Sequence, residues 1–185
     1  MSVAIEKRRF TVDEYYQMAE VGILGPDDRV ELIDGEIIQM SPINSPHGGH
    51  VKRLNNLFTS LLGNKVIVSV QDPLHIGLYS EPEPDIMLLK PRDDFYTQQH
   101  PEPEDVLLLI EVADSSLALD RKTKLPLYAR ARVVETWLVN LKDKQVEVYQ
   151  NPTSGKYQQK QVFKPGEQLS LNIFALTIAV KQILG

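Results

Sequence analysis

Two acidic residues stand where apolar strands would remove them from water. Asp85 opens the apolar run of "EPEPDIMLL", and Glu111 sits inside that of "LLLIEVADSS". An ionised carboxylate in a dry strand costs several kcal/mol unless it is paired or bound to a cation. Glu111 follows Asp85 by 26 positions, so adjacent strands would bring both side chains to one edge of a sheet. Two carboxylates a few ångströms apart repel. A hard divalent cation relieves that repulsion and takes their oxygens as ligands, with the carbonyl of Val112 placed to complete the shell. The plainer alternative for Glu111 is a strand-end carboxylate facing solvent or paired with an arginine.

The elements that must position these residues are legible in the pattern. "TVDEYYQMAEVG" reads as a helix capped by Thr11, with Glu14 three residues on and Gly22 as its stop. "RVELIDGEIIQM" is a hairpin turning at Asp34-Gly35. "SPINSPHGGHVKRLNNLFTSLLG" starts as a loop and becomes a helix that buries Val51, Leu54, Leu57, Phe58, Leu61 and Leu62, closed by Gly63. "KVIVSV", "LHIGLY", "DIMLL" and "VLLLIEVA" read as successive strands. "DRKTKLPLYARAR" is helical, with Pro126 either kinking it or lying in its first turn. "VETWLVN" and "QVEVYQ" form a second hairpin, "KYQQKQVF" adds a strand, and the apolar tail "IFALTIAVKQIL" packs last. Alternating helices and strands predict an α/β fold, a mixed central sheet with helices on its faces.

The chain has 185 residues, 42% hydrophobic and 24% charged, with no cysteine. That suits one soluble domain over 1–185 and excludes disulfides, thiolate metal sites and cysteine nucleophiles. No apolar run reaches the ~20 residues of a membrane span. The N-terminus has basic residues without an apolar segment after them, which predicts a cytoplasmic protein. A net charge of −5 argues against a general nucleic-acid-coating module, which would be basic. It is compatible with a nuclease whose catalytic groups are acidic. No GxGxxG, Walker, GxSxG or HExxH signature is present.

The series "VELIDGEIIQMSP", His47, "SEPEPDIMLL", "VLLLIEVADSS" and "KLPLYARARVVETWLVNL" resembles the PD-(D/E)XK, restriction-endonuclease-like superfamily, and within it the bacterial branch of uncharacterised restriction endonucleases. The resemblance implies a metal-dependent endonuclease acting on phosphodiester bonds of nucleic acid, DNA first, with Mg²⁺ or Mn²⁺ as cofactor. Asp85 and Glu111 would be the metal-binding carboxylates. The superfamily lysine two residues after the glutamate is Ala113 here, and the branch implies that Lys124 on the following helix replaces it. The alternative for Lys124 is a solvated helix lysine paired with Asp120. Glu31 matches an acidic position that assists the metal, or else is a hairpin surface charge. His47 matches a branch histidine able to bind phosphate or move a proton, or else caps its helix. Gln71 would orient the site, while His50 is expected at the surface and Tyr128 and Trp137 in the core. Superfamily enzymes that cut both strands pair two active sites, which implies a homodimer, with the apolar tail and the "VETWLVN" hairpin as contact surfaces. The competing reading is a degenerate nuclease fold kept for binding or regulation.

Overall fold

The computed structural model describes residues 7–185. Helix α1 (Val12–Glu20) starts with both reciprocal bonds of a capping box between Thr11 and Glu14, at 3.1 and 3.0 Å. Strands β1 (Val30–Ile33) and β2 (Glu36–Gln39) then turn through Asp34 and Gly35, both at positive φ (51° and 79°). That is the backbone a two-residue hairpin turn requires. The hairpin is a separate two-stranded sheet, attached to the rest by a bridge from Leu32 to Glu81.

Helix α2 (Ser45–Leu62) leads into β3 (Ile67–Ser69), β4 (Ile86–Leu89) and β5 (Val106–Ala113). A helical segment follows: α3 (Leu117–Leu119), a π-turn over Asp120–Lys124, and α4 (Leu125–Arg130). Pro126 lies in the first turn of α4, directly after the π-turn, so it sits at a break in the regular helix and not inside one. Strands β6 (Glu135–Asn140), β7 (Gln145–Thr153) and β8 (Lys156–Phe163) complete the main sheet. A terminal hairpin, β9 (Gln168–Leu171) with β10 (Leu176–Ala179), ends in α5 (Val180–Leu184). The six-stranded sheet runs β3-β4-β5-β6-β7-β8, with β5 and β6 parallel and every other pair antiparallel. The mixed sheet with helices on its faces is the expected fold.

The period-2 alternation of β5 sorts its side chains onto two faces. Ile110 and Val112 pack with Leu54 and Phe58 of α2, while Leu109 packs with Tyr128 of α4. Glu111 therefore faces the helical segment rather than α2.

Several expectations are corrected. "LHIGLY" is not a strand: Gly77 at φ 58° opens a 3₁₀ turn over Gly77–Tyr79, and a lone bridge joins Ile76 to Ser80. Leu61 is exposed, because the buried face of α2 follows Val51, Leu54, Phe58 and Leu62. All of β6 is buried, and Leu169, Leu171, Ile178, Val180 and Ile183 join the main core. The "VETWLVN" strand and the C-terminal tail thus serve the core of the chain, while Val134 and Ile173, the first residue of each, stay exposed. Among the described residues, no helix is long and apolar enough to cross a membrane.

A Cβ on Gly35 would lie 2.6 Å from the Arg9 Cβ, whereas one on Gly22, at a similar φ of 76°, would meet nothing within 4 Å. Gly35→Ala is expected to lose about 1–3 kcal/mol in urea unfolding. Gly22→Ala, with backbone strain alone, should lose clearly less.

Candidate active site

Asp85 and Glu111 converge as the adjacency of their strands predicts. Strands β4 and β5 pair with Ile86 opposite Ile110, which sets the two acidic residues side by side. The Asp85 amide lies 3.4 Å from Glu111 Oε2. Asp85 Oδ2 accepts the Val112 amide at 2.8 Å, and Oδ1 accepts Gln71 Nε2 at 3.0 Å and meets His47 Nε2 at 2.9 Å. Three donors from three elements thus fix this carboxylate. Gln71 serves it from a positive-φ backbone (55°), a strained conformation of the kind retained where surroundings impose it.

Glu31, on β1, is 1% exposed, so it is no surface charge of the hairpin. Its Oε2 accepts the Glu83 amide at 3.2 Å and pairs with Lys124 Nζ at 2.9 Å. Lys124 Nζ also stands 3.3 Å from Glu111 Oε1, which accepts the Tyr128 hydroxyl at 2.6 Å. Lys124 is buried. It is neither solvated nor hydrogen-bonded to Asp120, whose Oδ2 accepts the Ser116 hydroxyl at 2.7 Å. Lys122 is exposed.

The π-turn makes this arrangement possible. Its five residues, closed by the Leu125 amide on the Asp120 carbonyl, bury both Asp120 and Lys124. Such an insertion re-aims side chains that a regular helix would carry elsewhere, and it recurs at functional sites.

Charge is concentrated here on side chains that are mostly buried. Burial pushes the Glu111 carboxyl up to about 8, with the like charges of Asp120 and Asp85 adding to it and the Lys124 ammonium opposing. Burial likewise raises Asp120 to about 6. Burial works against the Lys124 ammonium, yet Glu111, Glu31 and Asp120 outweigh it and hold the lysine above its ordinary value. The bond to Asp85 raises His47 above its ordinary value, with burial opposing. These groups line one cleft of about 230 Å³, together with Glu83 and Asp114. Among the described residues lining it, the lysine and arginine side chains are Lys124 and Arg29.

The site therefore unites Asp85, Glu111, Val112, Lys124, Glu31, His47 and Gln71. Residue-type reasoning missed Asp120, Glu83 and Arg29, and it took Tyr128 as packing alone although its hydroxyl holds Glu111. The readable signal for two of them was spacing: Asp120, Lys124 and Tyr128 recur every four residues, one face of a helix. Trp137 is core, packed on Phe58 with ring centroids 6.0 Å apart. His50 is half-buried and does more than face solvent. Its ring nitrogens contact the carbonyls of Pro46 and Leu184 at 2.7 and 3.0 Å, joining α2 to α5.

Carboxylate oxygens are the donors that Mg²⁺ and Mn²⁺ take, and Glu31 Oε1 is buried with no hydrogen-bond partner among the described residues. The donor set fits such an ion. Among the described residues, no three His, Asp or Glu side chains already form a metal-holding group, and Lys124 supplies the counter-charge between Glu31 and Glu111.

The fold is that of a restriction-endonuclease-like nuclease. It superposes with a TM-score of 0.72 on the crystal structure of a "putative nuclease belonging to DUF820" from Anabaena variabilis, at 18% identity over 95% of this chain and 97% of that one. Residues 12–181 match the Uma2 family, described as "Putative restriction endonuclease", and the chain belongs to that family. No curated protein matches it.

Lys124→Met keeps much of the side chain's volume and leaves Glu31 and Glu111 buried without their cation. Stability at pH 7 should fall by about 3–5 kcal/mol in urea unfolding, the usual cost of breaking a buried pair. A loss below about 1 kcal/mol would mean the lysine is not their partner.

Proposed function

We propose that residues 1–185 form one cytoplasmic nuclease domain that hydrolyses phosphodiester bonds of DNA with Mg²⁺ or Mn²⁺. Family membership supports a nuclease, and the observation that carries the finer reading is the Lys124 ammonium beside Glu111 in the cleft that holds Asp85. Asp85 and Glu111 would hold the cation, with the Val112 carbonyl as a further ligand and Glu31 assisting. When bound, the cation supplies charge neutralisation at the scissile phosphate and makes a nearby water more acidic.

The remaining work belongs to the chain. Gln71 and the Val112 amide aim the Asp85 carboxylate, and Tyr128 aims that of Glu111. Lys124 positions the attacking water or offsets charge that develops on the phosphate in the transition state. His47, biased towards its protonated form by Asp85, binds the phosphate or delivers a proton to the leaving oxygen. The degenerate-fold alternative rests on Ala113 in place of the superfamily lysine. Lys124 within 3.3 Å of Glu111 weighs against it. Cutting both strands calls for two sites, so the active species is proposed to be a homodimer, detectable by light scattering.

Supercoiled plasmid should be nicked with Mn²⁺ and left intact with EDTA, and Asp85→Asn and Lys124→Ala should lower the rate at least about a hundredfold. Mn²⁺ should also raise the melting temperature of the wild type, since an ion that binds the folded state stabilises it by mass action. Glu111→Gln should abolish that rise without lowering the metal-free melting temperature, because Lys124 keeps Glu31 as partner while a buried like charge is removed. No nicking of plasmid or of single-stranded DNA or RNA at millimolar Mn²⁺ would overturn the assignment.

A further inference from the structure

Glu147 is fully buried on β7, yet it touches nothing in the cleft. Its Oε1 accepts Gln145 Nε2 at 3.0 Å and Asn140 Nδ2 at 3.3 Å, together with an Arg121 guanidinium nitrogen. Its Oε2 accepts the Tyr149 hydroxyl at 2.6 Å and Lys160 Nζ at 2.8 Å. Burial alone would raise this carboxyl, but donors led by Arg121 and Lys160 hold it down at about 2. So heavily bonded a group is a fixed anchor.

What it anchors is the π-turn. Arg121 follows Asp120 and stands three residues before Lys124, inside that turn. Sheet register places the two ends of the turn. Glu111 pairs with Leu138 on β6, and Leu138 pairs with Glu147 on β7. Partners directly across a sheet point to the same face, so Glu111, Leu138 and Glu147 form one row, the outer two about 10 Å apart at ~4.8 Å per strand. Leu138 packs beneath Leu125 of α4. The turn thus lies across the row, held at one end by Lys124 on Glu111 and at the other by Arg121 on Glu147.

We propose that Arg121 and Glu147 are positioning residues: their ion pair clamps the π-turn to the sheet and sets where Lys124 stands against Glu111. For activity this rests on the nuclease reading, but the placement of Lys124 is measurable without it. A π-turn is a marginal conformation with imperfect hydrogen bonding. Lys124 alone would leave the far end of the turn free to rewind, whereas a second attachment on the same sheet row fixes it. Lys160 reaches the same carboxylate from β8, with no link to the turn, and so provides an internal control.

The test is reductive methylation of the folded protein, mapped by mass spectrometry, with exposed Lys122 as reference for buried Lys124. Lys124 in the wild type should react far more slowly than Lys122. Arg121→Met should raise the Lys124-to-Lys122 ratio roughly tenfold or more by easing local opening, and Arg121→Lys should restore most of the protection. Lys160→Met removes the same charge from Glu147 and should leave the ratio within about twofold of wild type. Arg121→Met is expected to fold, because Lys160 still neutralises Glu147; a cooperative urea transition checks this, and Arg121→Gln replaces it if that transition is lost. In the plasmid assay Arg121→Met should lower kcat about tenfold or more with KM nearly unchanged, since misplacement by about an ångström is costly in rate. Unchanged protection of Lys124 in Arg121→Met and Arg121→Gln would overturn the clamp, as would an equal effect of Lys160→Met. If protection follows Arg121 while the wild type cleaves nothing, the clamp stands and the nuclease reading falls.

Discussion

Carboxylates kept out of water need a cation, and within this fold the nearest is the Lys124 ammonium. Glu31 comes from a hairpin outside the main sheet, Glu111 from the centre of that sheet, and Lys124 from the crossover between two parallel strands. Their contacts at 2.9 and 3.3 Å therefore join three parts of the chain that the backbone alone does not connect. Desolvation opposes every one of these charges, so the two carboxylates are tolerable only while the ammonium is in place. The π-turn and the buried face of the hairpin both bring members of this group together.

The same interaction has a chemical consequence. A lysine held between two acids is fixed in position and kept protonated, which suits it to stabilise negative charge rather than to accept a proton. Its place beside Glu111, in a strand where residue 113 is alanine, is reached from the helical crossover and not from the strand itself. The requirement is that the helix cross the face to which Glu111 points. The parallel pairing of β5 and β6 imposes that, since the intervening chain must pass over the sheet.

Local pattern revealed those parts of the site that depend on neighbours in sequence. Consecutive apolar runs pair, so the meeting of Asp85 and Glu111 was readable, as were the capping box at Thr11 and the turn at Asp34-Gly35. Glu31 was ambiguous because "VELI" alternates like any amphipathic strand; its burial depends on the distant bridge from Leu32 to Glu81. Asp120 looked like a surface partner of Lys124 because helical spacing allows that pairing, while the π-turn that buries both has no simple sequence mark. "LHIGLY" shows the opposite failure: its apolar residues suggested a strand, and the left-handed backbone at Gly77 ended it. Glu147, between two buried valines, carries no mark in the sequence of the Arg121 side chain that reaches it from the crossover.

The central claim is that Asp85 and Glu111 share one divalent cation, and anomalous diffraction from crystals soaked in Mn²⁺ tests it most directly. The account predicts a single strong peak with a carboxylate oxygen of each residue at the ~2–2.6 Å of a direct metal bond. The contradicting result is a well-ordered cleft at millimolar Mn²⁺ with no peak there, or a peak whose ligands include neither residue.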